Sequence, residues 1–258
     1  MTAFDTFTRA AFGMEPGGKT GNQLEAIADT LSLAKGEIAP IDRSIDQIVC
    51  IARGATKLAA QASGNREQIV AFHFAGDIVS IPSDGSHAYV LTSLVETELL
   101  AFPAREFFDQ ASAESAMARS LFERLPAALN RCREKAVALG RKSANERLAG
   151  FLIGMSERVG KPAGKRFILN LPMSRQDIGD SLGLTIETVS RQLGVMREAG
   201  LIETRGRSQI VLRDICELTK RAGHAHKTSK NLTETSEFDL DQCAGSASRL
   251  AARATEGA

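Results

Sequence analysis

The sequence lacks any apolar run of roughly 18 residues, the length that a helix needs to cross a bilayer. Charged side chains interrupt the first twenty residues, so no secretory signal peptide is visible, and we expect a cytoplasmic protein with no membrane partner. Only four cysteines occur, and they lie too far apart to form a C-x-x-C pair. In a cytoplasmic chain such cysteines are expected to be free thiols.

Catalytic motifs are also missing. The sequence contains no nucleophile elbow, no phosphate-binding loop and no metal-ligand motif, so we predict neither an enzyme nor a metal site. His224 and His226 lie between Cys216 and Cys243, but their spacing fits no standard metal site. The composition, with 43% hydrophobic and 24% charged residues, is that of a folded chain with one large domain or two ordinary ones.

Charge is distributed unevenly along the chain, although the net charge is only +1. Residues 1–120 contain 9 basic and 15 acidic residues, whereas residues 121–221 contain 19 and 11. The basic second half supplies the local positive field that a nucleic acid partner needs, and the whole-chain value conceals it. A nucleic acid is therefore a candidate partner.

Short β-like runs separated by glycines occupy the chain from about Leu24 to Phe102. The predicted strands are Ile48–Ala52, Ala55–Gln61, Gln68–Phe74, Ala88–Val95 and Thr97–Phe102. Glycines recur among them at the 8–12-residue interval typical of a sandwich or a barrel. We predict that residues 24–120 form a β-barrel, which leaves no strand edge exposed, after an N-terminal extension of residues 1–23.

A helical pattern follows in residues 121–160, where apolar residues recur at three- and four-residue spacing and form a narrow stripe that includes Leu121 and Ala128. Such a stripe is typical of packing against a second helix from another copy, although a helix lying on its own barrel would show the same pattern. Because proline removes a helical hydrogen bond, we predict that the continuous helix starts near Pro126. The predicted dimer interface consists of Leu125, Leu129, Cys132, Ala136 and Leu139.

Two short helices joined by a glycine turn are predicted between residues 174 and 200. Ser174 and Thr185 are favourable N-caps, and Gly183 provides the left-handed residue that ends the first helix. The small Gly179 lets the two helices approach closely. The residues expected to face inward are Ile178, Leu182, Val189, Leu193 and Met196.

Two short strands with a basic tip, Leu201–Thr204 and Gln209–Leu212, follow as a predicted wing. Helix, turn, helix and wing together give residues 161–221 the layout of a winged helix-turn-helix. Residues 222–258 are polar and small, so we expect a disordered tail there.

The second helix exposes residue types that read bases, together with Thr188 and Gln192. Arg191 can bind O6 and N7 of guanine, and Glu187, one turn earlier, can accept a hydrogen bond from the exocyclic amine of cytosine or adenine. Ser190 lies between them, and Ile186 adds an apolar edge. Phosphate contacts are predicted for Ser174, Arg175, Gln176, Thr185, Thr188, Arg205 and Arg207.

The segment Phe167–Leu212, with LPMSRQDIG from Leu171 and LGLTIETVSR from Leu182, resembles the DNA-binding domain of the CRP/FNR superfamily. Residues 139–148, LGRKSANERL, resemble the end of that family's dimerisation helix, especially in its FixK and FNR branches. The resemblance covers about residues 20–215. It implies an α+β fold with an N-terminal cyclic-nucleotide-binding-type β-barrel (a jelly roll), a long dimerisation helix and a C-terminal winged helix-turn-helix.

The same resemblance implies a function. A homodimer would bind a palindrome of TTGAT-like half-sites separated by four base pairs, and Glu187, Ser190 and Arg191 would read it. Members usually activate transcription by contacting RNA polymerase, here in microaerobic, anaerobic or nitrogen-fixation-related respiratory control. The alternative is a regulator of the same superfamily whose barrel binds a small molecule or nitric oxide.

Residues that would hold the family's known cofactors are missing from the sequence. Members that bind cyclic AMP use a Gly-Glu pair and a downstream arginine, but here Gly76-Asp77 is followed by no arginine or lysine before Arg105. A phosphate buried without a cation would lose its hydration uncompensated. Members with an iron–sulfur cluster carry N-terminal cysteines, whereas the first cysteine here is Cys50. We therefore predict no cofactor.

Cys132 falls on the predicted dimer stripe. In a parallel pair of helices it would lie near its counterpart, where the two thiols could respond to oxidation. A small core residue without redox chemistry is the simpler interpretation.

Overall fold

The computed structural model describes residues 2–13, 18–62, 66–85, 87–206 and 208–223. The chain divides into two compact units, with the boundary between Arg133 and Glu134. No described helix combines the length and the apolar character that a membrane crossing requires. The predicted tail lies outside the described residues from residue 224 onward, whereas Ala222, at its start, is fully buried.

The first unit is built on two antiparallel sheets rather than on one closed barrel, as far as the described strands extend. The four-stranded sheet has the order β1-β7-β2-β5, and the three-stranded sheet has the order β4-β3-β6. The strands are β1 Asp29–Leu33, β2 Gln47–Arg53, β3 Ala55–Ala62, β4 Arg66–Phe74, β5 Ile78–Ile81, β6 Tyr89–Ser93 and β7 Thr97–Pro103. All five predicted strands are present, and the mixed helix-and-sheet fold class is confirmed.

The continuous apolar run of β2 reflects a strand that is covered on both faces. Val49 and Ile51 join a core with Leu58 and Leu91 of the other sheet. Cys50, which points the opposite way, joins a second core on the outer face of the four-stranded sheet. A strand buried on both faces reads as unbroken hydrophobic sequence instead of alternating.

Helices pack on the outer face of the sheet and complete that second core. Some of their residues belong to the predicted N-terminal extension of residues 1–23. Helix α1 spans Ala3–Phe12, α2 spans Lys19–Ala26 and α3 spans Ala104–Ala113. Phe4, Phe7 and Phe12 of α1 are buried against β2 and β7. Helix α1 thus packs its apolar face into the first unit, so the predicted N-terminal extension over residues 1–23 contributes to the core of that unit.

The long helix α4 spans Ser115–Arg141 and contains Pro126 in its interior. The predicted start at Pro126 is therefore wrong, as is the predicted boundary at residue 121. Met117 is completely buried, and Leu121 packs against the same core as α1, so tertiary burial holds the turns before the proline. Leu121 accordingly packs on its own unit.

The second unit contains the remaining elements. They are α5 Ala144–Val159, β8 Lys161–Ala163, β9 Arg166–Asn170, α6 Arg175–Leu182, α7 Ile186–Glu198, β10 Ile202–Arg205, β11 Gln209–Leu212 and α8 Ile215–Arg221. The strands form one antiparallel sheet in the order β10-β11-β9-β8. Helix α5 packs on α7, α8 and β9, so a boundary at residue 161 falls too late in the chain.

Candidate nucleic-acid interface

The elbow between α6 and α7 is fixed by local sequence. Ser174 Oγ accepts a hydrogen bond from the backbone amide of Asp177 at 3.1 Å, and the Asp177 carboxylate accepts one from the amide of Ser174 at 2.8 Å. Gly183 ends α6 with φ +63°. A Cβ on Gly179 would lie 2.6 Å from the Leu184 carbonyl oxygen, so only glycine lets the chain after the turn pass this closely. These predictions from the sequence are confirmed.

The inward faces of the two helices are buried as predicted. The five predicted inward residues, Ile178, Leu182, Val189, Leu193 and Met196, are all at most 8% exposed. Because the buried positions of α7 recur every three or four residues, its opposite face is left to solvent. That face is the surface available to a DNA groove.

The predicted base-reading residues lie along this outer face. Glu187 and Arg191 are exposed one turn apart, Ser190 is partly exposed between them, and Ile186 is 37% exposed at the start of α7. Hydrogen bonds from its own backbone amide and from the Thr185 hydroxyl lower the pKa of Glu187. The carboxylate is therefore ionised near neutral pH and can act only as an acceptor, as pairing with a base amine requires.

Two neighbours of this face occupy positions that the sequence did not reveal. Arg175 Nη1 lies 3.3 Å from Ser190 Oγ, so this predicted phosphate contact sits beside a base-reading residue. Gln192, which was expected among the exposed residues of α7, accepts a hydrogen bond from Asn145 Nδ2 at 2.9 Å. The Gln192 side chain is therefore held against α5.

Several predicted phosphate contacts already serve the helix ends. The Thr185 hydroxyl accepts from the Thr188 amide at 3.2 Å and lies 3.1 Å from the Thr188 hydroxyl. The Gln176 side-chain amide donates to Asp180 at 2.7 Å. The hydroxyl of Ser174 donates to Asp177 at 2.6 Å. These side chains thus first stabilise the N-termini of α6 and α7.

The wing carries a small ion-pair group. Glu203 lies 3.3 Å from Arg205 and 3.4 Å from Arg213, a basic residue that motif analysis did not single out. Both arginines are substantially exposed, so the pairs hold the side chains only weakly. Arg207, at the predicted basic tip, lies outside the described residues.

Helix α4 presents an exposed apolar face over residues 122–137. Leu125 and Leu129 are 58% and 51% exposed, and Cys132 and Ala136 continue the same three- and four-residue spacing in solvent. Phe122, which the sequence analysis missed, begins the face at 71% exposure, and only its spacing from Leu125 could have indicated it. A row of exposed large apolar side chains is typical of a helix surface that packs against a second helix.

Leu139, the last predicted interface residue, lies elsewhere. Its side chain is half-buried, and its Cδ2 would be 3.4 Å from a Cβ placed on Gly183. It therefore packs beside the elbow of the helix-turn-helix in its own chain.

The cysteines differ in accessibility. Cys50 is completely buried, and burial raises the pKa of its thiol. Cys132 is exposed and Cys216 is partly exposed. Among the described residues, no three histidine, cysteine or acidic side chains come together as metal ligands could, and His224, His226 and Cys243 lie outside that part of the chain.

Comparison with known proteins agrees with this geometry. Residues 146–221 match the Crp-like helix-turn-helix domain. The chain is 33% identical over 177 residues to the nitrogen fixation regulation protein FixK of Rhizobium meliloti, covering 66% of this chain and 79% of that protein. It is 32% identical over 213 residues to electron transport regulator A of Shewanella oneidensis, covering 79% and 84%.

A solved structure, that of FixK2 from Bradyrhizobium japonicum, matches with a TM-score of 0.65 and 32% identity, covering 77% of this chain and 99% of that one. The match extends beyond the helix-turn-helix into the sheet-containing first unit. The chain belongs to the CRP/FNR family of DNA-binding transcription regulators, on the side of its FixK and FNR members.

Proposed function

We propose that the protein binds double-stranded DNA as a homodimer, at two TTGAT-type half-sites inverted about a spacer of four base pairs. The observation that carries the proposal is the outer face of α7, where Glu187, Ser190 and Arg191 lie together while the opposite face is buried. An ionised carboxylate beside an arginine fork can distinguish a cytosine or adenine from a guanine in the major groove. Each α7, the recognition helix of its chain, would read one half-site.

The homodimer is supported by the exposed apolar face of α4. Leu125, Leu129, Cys132 and Ala136 follow a heptad-like spacing, and their exposure in the single chain would be removed by an identical helix. A two-fold pair of recognition helices requires half-site centres about one helical turn apart, which the four-base-pair spacer provides.

By analogy with relatives, we propose that the protein activates transcription through contact with RNA polymerase. Electron transport regulator A and the FixK proteins carry names that refer to electron transport and nitrogen fixation. We infer a related role in microaerobic or anaerobic gene control, carried out in the cytoplasm, where the DNA lies. Transcription in vitro from a promoter carrying the palindrome would show whether the protein activates or represses.

The protein is also proposed to act without a bound cyclic nucleotide, haem or cluster. The sequence from Glu67 to Ala104 holds no arginine or lysine that could meet a phosphate. The fold does bring Arg124 of α4 to the Gly76 carbonyl at 2.9 Å, but the same guanidinium donates to the Ala11 carbonyl at 3.1 Å. A phosphate would have to replace both of these hydrogen bonds.

A mobility-shift titration at fixed salt tests the base-reading proposal. We expect Arg191→Ala to lose at least about thirtyfold in affinity for the TTGAT palindrome, because a bidentate contact to guanine is worth about 1–3 kcal/mol and the homodimer loses two of them. Its affinity for a scrambled duplex should hardly change. Arg197→Ala, an exposed arginine near the end of the same helix, is the matched control for lost charge. Equal affinity of wild type and Arg191→Ala for both duplexes would contradict the proposal.

A further inference from the structure

The guanidinium of Arg147, in the first turn of α5, joins two helix ends. Its Nε donates to the carbonyl of Lys142 at 2.9 Å, just past the end of α4. Its Nη1 donates to the carbonyl of Leu182 at 2.9 Å, at the last residue of α6. Arg147 is half-buried, and all three residues belong to the second unit.

Both hydrogen bonds satisfy groups that a helix leaves without partners. The last carbonyls of an α-helix have no acceptor role inside the helix and carry a partial negative charge, which a cation stabilises. A guanidinium holds its donors in a rigid planar fork, unlike the flexible ammonium of lysine. One rigid group that binds two carbonyls therefore fixes the ends of α4 and α6 relative to each other.

Three further contacts connect the same pieces of the chain. Lys135 Nζ donates to Ser181 Oγ at 3.2 Å. Asn145 Nδ2 donates to Gln192 on α7 at 2.9 Å. Leu139 packs beside Gly183 at the elbow. The end of α4 and the start of α5 thus contact both helices of the helix-turn-helix, in addition to the two hydrogen bonds that Arg147 makes.

We propose that Arg147 is a positioning residue that sets the half-site spacing the dimer accepts. This positioning role rests on the proposed function. In that function, α4 carries the exposed apolar face through which two copies would pair, and α7 carries the base-reading residues. Arg147 connects the end of α4 to the turn that precedes α7. The separation of two recognition helices in a dimer then depends on how firmly this connection is held.

The physical consequence falls on bivalent binding. When one half-site is bound, the second binds at an effective concentration that depends on how well the spacing fits and how stiff the connection is. A looser connection lowers that effective concentration at the correct spacing and tolerates incorrect ones. Binding to one half-site does not use the connection.

The experiment compares full-length wild type with Arg147→Gln on duplexes of equal length at fixed salt. The duplexes carry the TTGAT palindrome with spacers of four or six base pairs, or one half-site. We expect Arg147→Gln to lose about tenfold in affinity for the four-base-pair palindrome and less than twofold for the single half-site. Its preference for the four-base-pair spacer over six should fall accordingly. Arg141→Gln, an exposed arginine at the end of α4, is the matched control for charge.

Two results would overturn the proposal. In one, Arg147→Gln keeps the spacer preference of wild type. In the other, it loses affinity for the single half-site and the palindrome equally, which means that Arg147 only supports the folded helix-turn-helix. If thermal melting shows that Arg147→Gln does not fold, Arg147→Lys decides, because it keeps the charge and loses the two-carbonyl fork. A folded Arg147→Lys with the wild-type spacer preference contradicts the proposal.

Failure of the proposed function has a different signature. Wild type would then bind the palindrome no better than a scrambled duplex, and the half-site assignment would fall together with the spacing proposal. Wild type that selects the four-base-pair palindrome, beside an unchanged Arg147→Gln, removes the positioning role alone.

Discussion

Arg175 Nη1 and Ser190 Oγ lie 3.3 Å apart and join the start of α6 to the base-reading face of α7. A side chain expected to contact only phosphate is therefore in a position to orient a serine that meets a base. The two roles have different consequences, since phosphate contacts carry no sequence information and base contacts do.

We expect Arg175→Ala to relax specificity at one base position of each half-site. Without its partner, the Ser190 hydroxyl loses its orientation, and discrimination at that position should fall by about 1 kcal/mol. Titrations against palindromes substituted one base at a time measure this directly. A uniform loss of affinity over all of the palindromes would mean that Arg175 contacts phosphate alone.

Gly179 in α6 and Gly194 in α7 should respond oppositely to alanine. At Gly179 the new Cβ would lie 2.6 Å from the Leu184 carbonyl, so Gly179→Ala should reduce the free energy of unfolding by about 1–3 kcal/mol. At Gly194, inside α7, a Cβ meets nothing within 4 Å, and the better helix propensity of alanine should add about 0.5–1 kcal/mol. Urea unfolding of both variants decides, and equal effects would contradict the close approach at the elbow.

The N-terminal helix should contribute strongly to stability. Phe7 is 2% exposed and its ring lies 5.7 Å from that of Phe12, so Phe7→Ala should cost about 3–5 kcal/mol through lost burial and a cavity. Phe108→Ala is the control, because that ring is 52% exposed on α3. Denaturant midpoints of the two variants provide the comparison. Similar losses in both would place α1 outside the core.

The helix-turn-helix could be predicted almost residue by residue because its determinants are local. The caps at Ser174 and Thr185 and the glycine at Gly183 each act within one turn of their own position. The buried stripe of α7 follows directly from the helical repeat. Local rules and tertiary packing agree in this segment, which is why sequence reasoning succeeds there.

Elsewhere tertiary contacts override the local rules. Pro126 argues for a helix start, but burial of Met117 carries α4 eleven residues further toward the N-terminus. Phe4, Phe7 and Phe12 have helical spacing, but so short a segment cannot show that their side chains pack against a sheet. The spacing of α7 likewise could not reveal that Asn145, far away in sequence, binds Gln192.

Cyclic AMP should leave DNA binding unchanged. The guanidinium of Arg124 reaches the Gly76 turn, and it already donates to the Gly76 and Ala11 carbonyls. The free energy lost with these two hydrogen bonds would offset the free energy gained from a contact between the phosphate and the guanidinium. Isothermal titration with cyclic AMP should give no micromolar site, and the palindrome affinity should stay within twofold. A saturable heat with an increase in affinity would contradict the expectation.

Cys132 provides a direct measurement of the proposed dimer. It is exposed on the same face of α4 as Leu125 and Leu129, so in a parallel two-fold pair the two thiols would face each other across the interface. Copper phenanthroline with oxygen as the oxidant should convert the two thiols into one disulfide, and a dimer band should appear on a non-reducing gel.

The band should be absent in Cys132→Ser, which keeps the other cysteines, and strongly reduced in Leu129→Glu. The glutamate places like charges opposite each other in the interface, and sedimentation should then find mainly monomer. Because bivalent binding supplies much of the palindrome affinity, Leu129→Glu should also bind the palindrome little better than one half-site. Equal dimer bands in wild type and Cys132→Ser would show that the copies pair through another surface.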